Sequence, residues 1–115
     1  MNDNTGPVTF INVFEMPAEQ VDAFVARWRA RAHIMGNAPG FLGTKLHRAM
    51  SSESRFQVIN VARWASREAW EAAQTALREP GAPPSPLDDP AVEVSANPAL
   101  YEVVADVGEP PDQAD

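Results

Sequence analysis

The 115-residue chain carries 9 Lys and Arg against 16 Asp and Glu, a formal net charge of −7, and no cysteine. Its length is typical of one domain, and 44% hydrophobic residues are enough to build a core. The acidic balance weighs against nucleic-acid binding, and the lack of cysteine excludes disulfides and thiolate chemistry. Because the chain has neither a bilayer-length apolar run nor a signal-peptide pattern, we expect a cytoplasmic protein with no membrane partner.

The first half of the chain predicts a strand, a helix and a second strand. Residues 1–7 are predicted to be a flexible leader, and VTFINVFE over 8–15 is rich in the β-branched and aromatic residues of strands. Pro17 favours a helix start, and apolar residues at helical spacing extend from about 18 to 37. A Pro-Gly pair ends this helix, and FLGTKLHRAM over 41–50 predicts the second strand.

The second half begins with a strand and a helix. RFQVINVARW over 55–64 predicts a central strand, paired antiparallel with the second strand across a short polar turn. Ser66 is a favoured N-cap residue, so a second helix should run from there to about residue 78. By contrast, the arginines of the first helix are predicted to form a solvated face: Arg27, Arg29 and Arg31.

Proline dominates the stretch after the second helix. Six of the eleven prolines lie between residues 80 and 98, so 79–98 is predicted as a loop that wraps the body of the domain. A last strand is predicted over 99–107 and completes a folded domain of 8–107. Residues 108–115 are predicted to be a disordered acidic tail. The order β-α-β-β-α-β predicts a ferredoxin-like α+β fold with an antiparallel sheet.

Both faces of the predicted sheet are apolar, although two helices on one side can cover only one of them. In the third strand, Ile59 and Val61 point away from the face that carries Asn60 and Trp64. The face with Ile59 and Val61 would leave a large apolar patch on a monomer, so the pattern predicts a homodimer.

Two asparagines are predicted on the sheet face that meets the helices, Asn12 and Asn60. A buried amide without a partner costs about 1–3 kcal/mol, so each satisfies loop backbone or buried water, or holds a polar ligand in a cavity. Asn60 and Trp64 lie roughly 13 Å apart along one strand, which suits a flat, multi-ring molecule. His47 would be a general base only if its strand turned it inward, and a surface position is favoured.

Three segments together resemble the antibiotic biosynthesis monooxygenase family over about residues 8–105: FINVFEMPAEQVDAFVARWRARAHIM, PGFLGTKLHRA and VINVARWASREAWEAA. The most specific element is Asn60-x-x-x-Trp64. The resemblance implies a dimeric α/β barrel. Within the family, cofactor-independent anthrone oxygenases of aromatic polyketide pathways carry this Asn and Trp, so the resemblance implies Asn60, Trp64 and Asn12 as catalytic residues.

The implied reaction oxidises a polycyclic aromatic substrate with O2 and needs no cofactor and no metal. Amide N–H groups of Asn60 and Asn12 would stabilise an enolate oxygen, and the Trp64 indole could assist them. Six further residues are expected to bind the substrate as cavity wall: Phe14, Phe24, Trp28, Met35, Trp70 and Tyr101.

Some features depart from parts of the family. Trp70 stands where some members have a tyrosine. The heme-degrading branch uses an axial histidine on the second helix, and no histidine lies between Ser66 and Arg78. Two alternatives stay open: an enzyme of the same fold that catalyses ring closure, isomerisation or aldehyde detoxification, and a non-catalytic dimer that binds a small aromatic or another protein.

Overall fold

The computed structural model describes residues 6–81 and 93–108 and contains four strands and two helices. The elements in chain order are β1 (Val8–Glu15), α1 (Val21–Gly36, preceded by a 3-10 turn at Ala18–Gln20), β2 (Phe41–Arg48), β3 (Phe56–Trp64), α2 (Arg67–Leu77) and β4 (Ser95–Tyr101). The strands form one antiparallel sheet in the order β2-β3-β1-β4. The predicted ferredoxin-like α+β fold is confirmed. Within the described residues, neither helix is long and apolar enough to cross a membrane.

The alternation of side chains along β1 and β3 decides which residues reach the core. Asn12 pairs directly with Asn60, and both are buried, as is Trp64 at the end of β3. Ile11 and Ile59, by contrast, are only half-buried, because their strand face carries no helix. The predicted assignment of the two sheet faces is therefore correct.

A bulge in β2 changes which of its side chains point inward. Phe41 pairs with Trp64 and Gly43 with Arg63, so Leu42 is an extra residue without a partner of its own. Gly43 adopts φ 152°, a value that residues with a side chain rarely reach. Beyond the bulge, Thr44 pairs with the inward-facing Ala62, so the strand turns Thr44 toward the core.

The predicted last strand was misplaced by about four residues. β4 occupies Ser95–Tyr101 rather than 99–107, and residues 102–107 are exposed and outside any strand. Pro98 is tolerated because β4 is an edge strand. Asn97 beside it adds two bonds to β1: its backbone N–H donates to Asn12 Oδ1 at 3.0 Å, and its Nδ2 donates to the Val13 carbonyl at 2.9 Å.

Local chemistry explains where α2 begins. The Ser66 side chain accepts a hydrogen bond from the Ala69 backbone N–H at 3.1 Å, which confirms the predicted N-cap. Gly40, with φ 85°, accepts a bond from the Ala65 N–H at 2.8 Å and so ties the start of β2 to the start of α2. Most of the predicted leader, loop and tail lies outside the described residues, at 1–5, 82–92 and 109–115.

Candidate active site

A cavity of about 150 Å³ lies between the sheet and the two helices. Every strand except β4 contributes a side chain to it, and α1 supplies one long wall. The lining residues are Phe10, Asn12 and Phe14 of β1; Phe24, Trp28, Arg31, Ala32 and Met35 of α1; Thr44 of β2; Asn60 of β3; and Gln74 and Leu77 of α2. The cavity is thus mainly apolar and aromatic, with a few polar groups.

Asn60 lines this cavity, and the protein holds one end of its amide. The residue is 5% exposed, and its Oδ1 accepts a hydrogen bond from Thr44 Oγ1 at 2.5 Å. Among the described residues, Asn60 Nδ2 has no hydrogen-bond partner. The oxygen end of the amide is therefore held by the protein, and the N–H end is available to a ligand.

Asn12 has the same arrangement on the neighbouring strand. It is 9% exposed, and its Oδ1 is held by the Asn97 backbone N–H. Its Nδ2 likewise has no partner within residues 6–81 and 93–108. Both amide oxygens thus accept hydrogen bonds from structural donors, and both side chains line the cavity.

The structure brings together six of the nine predicted site residues. Asn12, Asn60, Phe14, Phe24, Trp28 and Met35 all line the cavity. The aromatic members also pack on one another, since the Phe14 and Phe24 rings lie 4.8 Å apart between centroids. The spacing of Trp28 and Met35 along α1 places them on the buried stripe, as predicted.

Trp64 does not line the cavity, contrary to the prediction of direct substrate contact. Its side chain is fully buried and meets the Phe41 ring edge-on at 5.1 Å. The cause is its position at the far end of β3, where it pairs with Val8 and Phe41. It belongs to a core cluster that also contains Phe10, a lining residue, so it supports the cavity wall from behind.

Trp70 and Tyr101 also lie outside the lining. Trp70 packs against Phe10 with ring centroids 5.6 Å apart, and its buried Nε1 has no hydrogen-bond partner among the described residues. Tyr101 is 51% exposed, because it is the last residue of β4 and pairs with Thr9 on the helix-free face. The expectation that Tyr101 forms cavity wall or core was wrong, because Tyr101 ends β4 on the helix-free face and is exposed there.

Three polar lining residues were not predicted from the sequence: Thr44, Arg31 and Gln74. Arg31 was assigned to a solvated face, yet it is half-buried, three residues after Trp28 and four before Met35. That helical spacing could have revealed it, as could the position of Gln74 three residues before Leu77. The sheet face of Thr44 could not be predicted from the sequence, because it depends on the bulge at Gly43.

A larger cleft of about 610 Å³ lies beside the cavity, between α1 and β2. The two spaces share two lining residues, Trp28 and Thr44. An exposed ion pair between Asp22 and Arg48 stands at the cleft. Trp28 and Thr44 thus border both the aromatic cavity and the neighbouring cleft.

The described cavity lining offers hydrogen-bond donors but no carboxylate, histidine or tyrosine; its one charged residue is Arg31. His47 pairs with Ile59 on the helix-free face, where its Nδ1 lies 3.3 Å from the Ile59 carbonyl oxygen. The favoured surface position of His47 is therefore the observed one. Nor do residues 6–81 and 93–108 contain a group of three or more His, Asp or Glu side chains able to hold a metal ion.

Comparison with known proteins identifies the family. The sequence profile described as antibiotic biosynthesis monooxygenase matches residues 7–76. A presumed monooxygenase from Shewanella loihica has a similar structure, with a TM-score of 0.73 and 34% identity, covering 88% of this chain and 97% of that one. SnoaB, a cofactor-independent oxygenase from Streptomyces nogalater, has a TM-score of 0.68 and 25% identity, covering 90% and 99%.

A curated relative carries a different activity. A mycobilin-producing heme oxygenase of Mycobacterium tuberculosis is 41% identical over 66 residues, 57% of this chain. That alignment spans 61% of the length of the heme oxygenase. Similarity in this family therefore extends both to an oxygenase that works without a cofactor and to one whose substrate is heme.

Proposed function

The chain belongs to the antibiotic biosynthesis monooxygenase family, and from that premise we propose that it is a cofactor-independent monooxygenase. Its substrate would be a polycyclic aromatic, anthrone-like polyketide intermediate, which it oxidises to a quinone with O2. The observation that supports the proposal is the pair of Asn12 and Asn60 in an aromatic cavity, with both amide oxygens engaged and both amide nitrogens without a hydrogen-bond partner among the described residues.

The reaction balances without a further oxidant. The methylene carbon of an anthrone lies between two aryl rings and is acidified by the carbonyl across the central ring, so loss of a proton gives an electron-rich enolate. One electron passes from the enolate to O2, and the carbon radical combines with superoxide to form a peroxide at the same carbon. Loss of water then leaves a carbonyl, so CH2 and O2 become C=O and H2O.

The chain's own residues would act mainly through hydrogen bonds. The Nδ2 groups of Asn60 and Asn12 can donate to the enolate oxygen, and donors that are already oriented lower the barrier most in a water-poor site. The aromatic wall that includes Phe14, Phe24 and Trp28 excludes water from the enolate. Because the described lining holds no carboxylate or histidine, stabilising the anion is the contribution that these residues can make.

The size of the cavity sets a condition on this proposal. Sites for drug-sized ligands enclose about 300–1,000 Å³, whereas the cavity holds about 150 Å³. A three-ring substrate would therefore have to reach into the adjoining cleft of about 610 Å³. Movement of the Trp28 side chain, which borders both spaces, would join them.

The test uses purified protein and an unsubstituted tricyclic anthrone under air. We expect quinone formation above the uncatalysed rate, abolished under anaerobic conditions and unchanged by chelators or by added flavin. Incorporation of label from ¹⁸O2 into the new carbonyl would identify the oxygen source. Turnover that depends on added iron, heme or flavin would overturn the proposal.

Heme degradation is a second candidate, favoured by the 41% identity to the mycobacterial heme oxygenase. The residues that line the described cavity do not fit heme. An axial ligand is usually a histidine, cysteine, methionine or tyrosine side chain. The described cavity lining offers only the Met35 thioether, and the histidine of the adjoining cleft, His47, pairs with Ile59 on the helix-free face. Titration with hemin decides the matter: a sharp Soret shift at one equivalent, lost in Met35→Leu, would favour heme, and a weak, unsaturating change would exclude it.

The proposed assembly is a homodimer formed through the helix-free face of the sheet. Ile11, Val13, Ile59 and Val61 lie half-buried on that face although no helix covers them. Burying them against a second copy would remove a contiguous apolar surface from water. Light scattering should give twice the chain mass, and Ile59→Lys should give a monomer; a wild-type monomer at micromolar concentration would contradict the assignment.

A further inference from the structure

Thr44 is the polar side chain that touches Asn60. Resting on the function proposed above, we propose that Thr44 is a positioning residue, whose hydroxyl fixes the Asn60 amide with its N–H2 end toward the substrate. Thr44 does not take part in the reaction itself under this proposal. Its contribution would be to decide which end of a nearly symmetric amide faces the enolate oxygen.

The need for such a device follows from the chemistry of the amide. The oxygen and nitrogen ends of asparagine have almost the same size, and rotation about χ2 exchanges them. With the oxygen toward the cavity, Asn60 would repel an enolate rather than stabilise it. A donor on the other side of the amide selects the productive orientation, because only Oδ1 can accept its proton.

The hydrogen bonds of Thr44 meet this requirement. Oγ1 carries one proton, and its nearer acceptor is Asn60 Oδ1 at 2.5 Å, whereas the Val61 carbonyl oxygen lies at 3.4 Å. The shorter contact takes the proton, since hydrogen bonds weaken steeply at longer distances. The β-branched threonine is itself stiff at χ1, so the donor is held in place.

The backbone of β2 brings Thr44 to this position. Under strict alternation, Thr44 would face away from the side that carries Phe41. The extra residue Leu42 and the φ of 152° at Gly43 reverse this alternation, so Thr44 pairs with Ala62 and lies diagonally from Asn60. The bulge lies directly before Thr44. The backbone conformation of β2 therefore determines that the Thr44 hydroxyl reaches Asn60.

The substitutions that test this are Thr44→Val, which keeps the shape and removes the hydroxyl, and Thr44→Ser, which keeps the hydroxyl. Thr9→Val is the matched control, because Thr9 is also a strand residue but pairs with Arg63 on the helix-free face. We expect Thr44→Val to lower kcat for anthrone oxidation by ~10–100-fold with little change in KM, a smaller loss than for removing an oxyanion donor outright. Thr44→Ser and Thr9→Val should stay close to the wild-type rate.

A double substitution separates positioning from general support of the fold. In an Asn60→Asp background the amide N–H2 is already lost, so adding Thr44→Val should lower kcat no further. Equal losses in Thr44→Val and Thr9→Val, or an additive loss in the double variant, would overturn the proposal. Thermal unfolding of each variant shows whether a rate change reflects loss of folded protein.

A measurement without turnover distinguishes failure of this inference from failure of the proposed reaction. ¹⁵N relaxation of the Asn60 side-chain amide, identified by its absence in Asn60→Asp, should show an ordered N–H2 group in wild type and Thr44→Ser. In Thr44→Val the same group should become mobile. If the wild type forms no quinone, the proposed reaction fails, while an unchanged Asn60 amide in Thr44→Val sinks the positioning role on its own.

Discussion

Asn12 and Asn60 are direct partners in the ladder between β1 and β3, and both side chains line the same cavity. Each amide oxygen is held by a different donor, the Asn97 backbone N–H for Asn12 and the Thr44 hydroxyl for Asn60. The pairing of the two strands thus brings two amide side chains with engaged oxygens to one cavity.

Replacing either amide by an isosteric carboxylate should abolish the donor without changing the shape of the site. We expect Asn60→Asp to lower kcat for anthrone oxidation by ~10²–10³-fold, and Asn12→Asp to do the same, because a carboxylate repels the enolate oxygen. Ser52→Asp is the control, since it adds the same charge at an exposed position in the turn between β2 and β3. Near-wild-type turnover in both cavity variants would show that the amides do not contact the developing anion.

Trp64 is predicted to act on stability rather than directly on chemistry. Because its ring is fully buried against Phe41, Trp64→Phe should leave a small void and cost about 1–3 kcal/mol of unfolding free energy. The rate per folded molecule should fall by less than about tenfold, since the indole does not line the cavity. Denaturant unfolding and kcat measured on the same preparation check both statements, and a large loss of kcat at unchanged stability would restore Trp64 as a donor.

Trp70 carries a buried donor that the described residues leave unsatisfied. Trp70→Phe removes that N–H while keeping an aromatic ring against Phe10. Lost packing and the relieved desolvation penalty of about 1–3 kcal/mol oppose each other, so the net change in unfolding free energy should be small, within about 1 kcal/mol. A loss well above 2 kcal/mol would mean that the indole N–H has a hydrogen-bond partner in solution.

The pattern of residues was sufficient for the architecture but not for all of the site. Alternation along β1 and β3 placed Asn12 and Asn60 inward, and helical spacing placed Trp28 and Met35 against them, because both periods are properties of the backbone. The bulge at Gly43 breaks the period of two, so Thr44 could not be assigned to a face.

Two further differences have physical causes that lie in side-chain bonding. The prolines suggested that residues up to Pro98 were loop, yet the bond between Asn12 and the Asn97 backbone lets an edge strand start at Ser95. Tyr101 is therefore the last residue of this strand and not one of its first. Spacing along one strand also could not show that the cavity ends before it reaches Trp64, since that depends on the packing of Phe10.

Gly40 should be the glycine that tolerates substitution least. A Cβ at this position would lie 2.5 Å from the Ala69 Cβ, and its φ of 85° disfavours any residue with a side chain. Gly40→Ala should therefore cost about 2 kcal/mol or more of unfolding free energy by separating β2 from α2. Gly36→Ala is the control, because nothing lies within 4 Å of a Cβ there, and it should be neutral or slightly stabilising. Equal effects of the two substitutions would contradict the close approach.

Trp28 should control how large an aromatic molecule the site accepts. Its side chain borders both the cavity of about 150 Å³ and the cleft of about 610 Å³, so shortening it joins the two spaces. We expect Trp28→Ala to shift binding preference from two-ring toward four-ring aromatic ligands by roughly tenfold or more, with Trp28→Phe intermediate, because pocket size discriminates ligands on this scale. Ile34→Ala is the control, since Ile34 is half-buried on the same helix but lines neither space. Fluorescence titration with unreactive polycyclic ligands measures the preference, and the same ring-size order in all variants would show that Trp28 does not separate the two spaces.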